Sequence, residues 1–252
     1  MPQHIIAVTS LAREALIACG NGVSVVCSQS CRLSAALTEG LSSTGVSGII
    51  SFGISGGLNP DLAAGDWVVA SAVRYGDRVF ATDSKWTQEL TKRLPGAILA
   101  EVAGSDVLLP TPAAKAHLYK TTGAAAVDME SHIAAEIAAK HGIPFASCRV
   151  IIDSAHRTLP PATIQALDSN GAVDILAVTR SVIQTPRQLP DLIRAAFDAY
   201  VAERALSEGR KRLGPAFASP FVKFRVAERE FAERPYVSSE FVGPMSPICE
   251  TP

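Results

Sequence analysis

Asp153 closes the run Phe145, Ala146, Ser147, Cys148, Arg149, Val150, Ile151 and Ile152, most of it apolar or small. An acid at the end of such a strand is costly unless it is paired or used. Two readings fit. Arg149 could hold it in a structural ion pair, or burial could raise its pKa until it donates a proton near neutral pH. Glu130 follows Val127, Asp128 and Met129 and opens a stretch where Met129, Ile133 and Ile137 share an apolar stripe. It either answers the positive end of a helix or holds a ligand there. Gly53, Gly56 and Gly57, with Ile54 and Ser55 between them, form a turn whose amides can approach an anion or sugar hydroxyl closely. The turn has neither the GxGxxG spacing of dinucleotide binders nor the GK[ST] ending of the P-loop. A further polar segment holds Thr9, Ser10, Arg13 and Glu14.

Each of these segments follows a short apolar run, so each is placed at the carboxyl end of a strand, where α/β folds bind ligands. Strands over 4–9, 23–27 and 46–53 alternate with helices over 11–19 and 30–43. That rhythm predicts parallel pairing with right-handed crossovers. Stretches at 67–73 and 78–80 flank Tyr75, Gly76 and Asp77, which suggests an antiparallel excursion. Helices follow over 86–94, 112–120 and 130–140, with strands at 97–102, 125–128 and 145–152. Further helices are predicted over 173–183 and 192–206, the second with Ile193, Phe197, Tyr200 and Val201 on one face. We therefore expect one α/β domain over 1–214 and an appendage of low order over 215–252.

The composition bounds the function. A chain of 252 residues with a formal net charge of −1 lacks the basic excess of a nucleic-acid binder. Its five cysteines include no CxxC pair, and no His stands at ligand spacing from them, so a metal is not expected and free thiols are. Cys27 and Cys31 could meet on a helix turn, which would make half a zinc site at best. With neither a signal-like start nor an apolar run of about 20 residues, the chain reads as cytoplasmic.

The segment Ala126, Val127, Asp128, Met129, Glu130, with Arg149, Val150, Ile151, Ile152, Asp153 and Ser154, resembles the purine and uridine phosphorylase superfamily. That superfamily includes methylthioadenosine/S-adenosylhomocysteine nucleosidase. The glycine turn with residues 58–66 and the pair Arg74 and Tyr75 are similar to it too, and the resemblance runs in order over 5–206. Within it, residues 52–60, 106–112 and 123–132 are most similar to the hopanoid-associated phosphorylase branch, which removes adenine from adenosylhopane.

The resemblance implies a three-layer α/β/α sandwich with a mixed, largely parallel sheet. It implies cleavage of the N-glycosidic bond of an adenine nucleoside, with Asp153 protonating the departing base. Glu130 is then the holder of the ribose hydroxyls, and Met129 lies against the sugar. Leu108 and Leu109 receive the base, although relatives often stack an aromatic there. Ser55 and Gly56 contact substrate, and Glu14 matches the glutamate that positions water in the nucleosidases. No cofactor is implied beyond inorganic phosphate as co-substrate.

Arg13, Arg32 and Ser55 are the candidates to hold that phosphate. Ile54, where relatives carry a hydroxyl, and Gln29, Ser30 and Cys31, in place of a Gly-x-Gly, leave phosphate and water open as nucleophiles. Hydrolysis of methylthioadenosine or S-adenosylhomocysteine is the second reading, and a nucleoside-binding module without catalysis the third. A homo-oligomer is expected from the relatives. Arg210, Lys211 and Arg212, with Phe217, Phe221 and Phe224, are the residues that could touch a membrane bearing a lipid-like substrate.

Overall fold

A computed structural model describes residues 3–160 and 186–223. The apolar runs become strands β1 (His4–Thr9), β2 (Val23–Cys27), β3 (Val46–Gly57) and β8 (Phe145–Asp153). Between β3 and β8 come β4 (Trp67–Tyr75), β5 (Arg78–Ala81), β6 (Ile98–Gly104) and β7 (Ala126–Asp128). The pairs β1/β2, β1/β3, β3/β8, β4/β6 and β6/β7 are parallel, whereas β3/β7, β4/β5 and β4/β8 are antiparallel. The mixed sheet is as expected, and it also curls: β3, β7, β6, β4 and β8 pair in a closed ring.

β3 runs four residues beyond the end expected at Gly53, because Gly56 and Gly57 carry the ladder on to β7. Gly56 is flanked by Val127 of β7 and by Asp153 of β8. That one glycine therefore sets the register of both segments that hold the candidate acids.

The helices are α1 (Ala12–Ala18), α2 (Ser30–Gly40), α3 (Ser84–Arg93), α4 (Pro112–Thr122), α5 (Ser131–His141) and α6 (Leu189–Leu213). Asp83 caps α3 by accepting from the Trp86 amide at 2.9 Å. Thr111 caps α4, Pro112 fills its first position, and Gly123 ends it in the left-handed region that glycine favours. Helices α2 and α5 cover one face of the sheet, while α3 and α6 cover the other. Each face has its own core, one around Ile6, Leu33, Ala134 and Ile151, the other around Phe52, Trp86, Cys148 and Leu206.

Three expectations change here. The face of α6 with Ile193, Phe197 and Tyr200 is exposed, and the helix buries Ala202, Leu206, Arg210 and Leu213 instead, seven residues past the predicted end. The boundary at Gly214 falls inside the packed core. Ala216 and Phe217 are fully buried, Phe217 lies edge-on to Phe52 at 4.8 Å, and its carbonyl accepts from the Trp86 indole at 2.9 Å. Arg210 and Phe217 are thereby unavailable to a membrane, since Arg210 also donates to the carbonyls of Ala18 and Gly214. The helix predicted over 173–183, Phe224 and the rest of the tail lie outside the described residues. Among the described residues no helix is long and apolar enough to cross a membrane.

Candidate active site

A cavity of about 460 Å³ opens at the carboxyl ends of β3, β7 and β8. Ile54, Ser55 and Gly56 form one side and Val127, Met129 and Glu130 another. Asp153, beside Gly56, lines it too, as do Lys115, Leu108, Leu109 and Leu159. The structure thus brings Asp153, Glu130, Met129, Leu108, Leu109, Ser55 and Gly56 around one space. The Ser55 hydroxyl is buried with no hydrogen-bond partner among the described residues. A buried hydroxyl in that state is a ready contact for a ligand.

The ion pair with Arg149, the alternative reading of Asp153, does not form. The two are four residues apart along an extended strand, about 13 Å between Cα atoms, too far for these side chains to close. Asp153 pairs with Lys115 of α4, whose ammonium also donates to the carbonyls of Ser154 at 2.9 Å and Arg157 at 3.4 Å. Burial raises the Asp153 pKa, Lys115 pulls it back, and Asp198 adds to the rise.

Arg149 instead pairs with Asp128 at 2.6 Å and lies 3.9 Å from Glu130. Its guanidinium also donates to the hydroxyls of Ser51 and Ser131. Glu130 stands at the start of α5 without a side-chain capping bond. Burial pushes its pKa up to about 8; Arg149 opposes the rise, and Asp128 and Glu14 reinforce it. One cation thus faces several acids. Asp128 was legible by the argument applied to Asp153, an acid ending an apolar strand. Lys115 was not, because nothing in the spacing of α4 separates it from a solvated helix lysine.

Glu14 is buried beneath the β1 end and does not line the cavity. Its carboxylate accepts from the amides of Ser10 and Leu11 at 3.0 Å each and of Ile54 at 2.8 Å, tying the first and third strand ends together. A side-chain carbon on Gly53 would stand 2.3 Å from Glu14 Oε1, so glycine is needed there for space. Arg13 points outward and pairs with Glu203 of α6 at 2.6 Å, and Arg32 is exposed on α2 away from the cavity. Of the three residues expected to hold phosphate, only Ser55 faces the space. Both arginines sit on the solvent side of their helices, which segment-level reading could not resolve.

At the rim, Tyr75 stacks on His132 with centroids 4.2 Å apart and donates to Asp106. Arg74 is paired with Glu101 at 2.8 Å. Cys27 ends β2 whereas Cys31 lies in α2, so the two do not share a helix turn; both thiols are free. Burial pushes the Cys148 thiol up to about 12, leaving it inert.

The model of the phosphorylase superfamily matches residues 6–184 of this chain. The chain belongs to the phosphorylase superfamily. It is an enzyme of nucleoside N-glycosidic bond cleavage. No curated protein matches it significantly. The solved structures that resemble it share the superfamily fold. Futalosine hydrolase of Helicobacter pylori is 15% identical with a TM-score of 0.59, over 84% of this chain and 95% of that one. Methylthioadenosine/S-adenosylhomocysteine nucleosidase of the same organism is 16% identical with a TM-score of 0.60, over 84% and 100%. The Campylobacter jejuni nucleosidase gives 14% and 0.55, over 82% and 99%.

Proposed function

We propose that this member of the superfamily acts on an adenine nucleoside with an apolar 5′ substituent, and that phosphorolysis of adenosylhopane, with release of adenine, is its reaction. One observation carries the reading: Asp153 and the Met129–Glu130 turn face one cavity from two strands, both registered to Gly56. The spacing suits a nucleoside with its base at Asp153 and its ribose at Glu130. Departure of the base leaves a cation-like sugar, and protonation of the leaving purine contributes about 10²–10⁴-fold. Leu11, Ile54, Val107 and Leu159 give the cavity walls suited to an apolar 5′ group. Val107 and Leu108 are exposed at its mouth, a position that a second copy of the chain in a homo-oligomer would cover.

Hydrolysis is the second reading, and a specific observation favours it. Arg13 and Arg32 lie outside the cavity, while Arg149 is engaged by Asp128 beneath Glu130. Among the described residues the sugar end is richer in carboxylates than in cations, which suits water better than phosphate.

Incubation of the purified protein with adenosylhopane, methylthioadenosine and S-adenosylhomocysteine, each with and without phosphate, tests both. Adenine release from adenosylhopane that depends on phosphate supports the first reading. Release unaffected by removing phosphate replaces it with the second, and no release from any nucleoside returns the chain to a binding role.

A further inference from the structure

Lys115 is the buried member of α4, a helix whose other residues are exposed or half-exposed. An ammonium is costly to bury, and it persists only where its donors are met. Its three protons have three acceptors here: Asp153 Oδ2 and the carbonyls of Ser154 and Arg157. The second carboxyl oxygen, Oδ1, accepts no hydrogen bond from a described residue. The carboxyl group lies against Gly56, where a side-chain carbon would stand 3.5 Å from Oδ1 and 3.8 Å from Oδ2. Gly56 lines the cavity, so the lysine secures one oxygen and leaves the other to the ligand.

We propose that Lys115 is a positioning residue for the acid: it fixes Oδ2, presents Oδ1 to the base, and stabilises the carboxylate that forms when the proton leaves. The inference rests on the reading of Asp153 as proton donor. In the step, the proton on Oδ1 passes to a nitrogen of the purine. The bond from that base to the sugar breaks with its electron pair going to the base, and an oxygen of the phosphate or water co-substrate bonds to the anomeric carbon in its place. Asp153 is left as a carboxylate against the Lys115 ammonium, so the charge created on the protein is met by a charge already in place.

The other charged groups facing the pair are Asp198 of α6, which acts on Asp153, and Arg157, whose side chain reaches Asp198 at 3.4 Å. Asp198 opposes ionisation of Asp153 and Lys115 promotes it, so Lys115 is the group whose removal shifts the acid upward. Activity requires protonated Asp153 and falls as pH rises through its pKa. The lysine therefore sets where the alkaline limb lies, and a neighbouring cation typically lowers an acid by about 1–3 units.

The test measures kcat against pH with the best nucleoside from the panel above, for the wild type, Lys115→Met, Lys115→Arg and Asp153→Asn. Lys115→Met should move the alkaline limb up by about one unit or more and lower the plateau by about 10–100-fold. Lys115→Arg should keep the limb near the wild-type position. If Lys115→Met does not fold, Lys115→Ala takes its place, and methylammonium in the buffer should bring its limb back down.

A limb unmoved in the uncharged variant overturns the proposal while Asp153→Asn is inactive. An Asp153→Asn protein with unchanged adenine release instead removes the acid itself, and the proposal with it.

Discussion

Arg149 and Asp128 lie 2.6 Å apart beneath the cavity, with neither side chain open to solvent. Arg149 comes from the middle of β8 and Asp128 from the end of β7, and neither strand pairs directly with the other. The pair therefore joins two segments that β3 otherwise holds apart, and it does so directly under Glu130.

Removing the guanidinium leaves Asp128 with no counter-charge in a closed space. Arg149→Met should lose about 3–5 kcal/mol of stability, the usual cost of stranding a buried charge. Urea unfolding monitored by circular dichroism measures this; a midpoint within error of the wild type would refute it.

Glu130 gives a stability signature that depends on pH. Its folded pKa, about 8, lies above the ordinary 4.5, so the folded protein holds this proton more tightly than the unfolded chain. Ionisation therefore costs the folded state stability as pH rises from about 4.5 to about 8, after which the loss is complete. Glu130→Gln lacks that titration. Its melting temperature should gain on the wild type across this window and stay level above it, while kcat/KM falls about 10–100-fold on the proposed reading that Glu130 holds the ribose.

Ser55 is predicted to separate stability from binding. Its buried hydroxyl has no partner among the described residues, and such a group opposes folding. Ser55→Ala should match or exceed the wild type by up to about 1 kcal/mol while KM for the nucleoside rises several-fold. Equal KM values in steady-state assays would rule out a substrate contact.

Phe217 tests where the domain ends. It is fully buried against Phe52, with the Arg210 guanidinium 4.2 Å from its ring centroid. Phe217→Ala should cost about 3–5 kcal/mol, the range for large core aromatics. An unchanged urea midpoint would return residues 215–223 to the status of a loose appendage.

The strands around the site were legible because short apolar runs ended in polar segments, and the chemistry of α/β folds gathers at those ends. Asp153 and Glu130 stood out because acids are rare in such places. The sequence could not say which cation each acid meets, because Lys115 reaches Asp153 from 38 residues away. Nor could it orient Arg13 and Arg32, whose side depends on a rotation of the helix that two or three apolar neighbours do not fix. Phe217 was lost for a related reason. Residues 215–218 form a short turn with Ala216, Phe217 and Ala218 at positive φ, a backbone with no periodic signature.

The place of Gly56 between Val127 and Asp153 has a consequence for substrate choice. Two adjacent strand spacings amount to about 9–10 Å, and hydrogen-bonded ladders fix that width more firmly than any loop. On the proposed reading β3 thus acts as a gauge, with the proton donor on one side and the sugar clasp on the other. A compound is admitted by the separation of its base from its ribose hydroxyls, whatever trails from the 5′ carbon. Variation in that trailing group then falls to the rim, where Val107 can change without disturbing the ladder that measures the nucleoside.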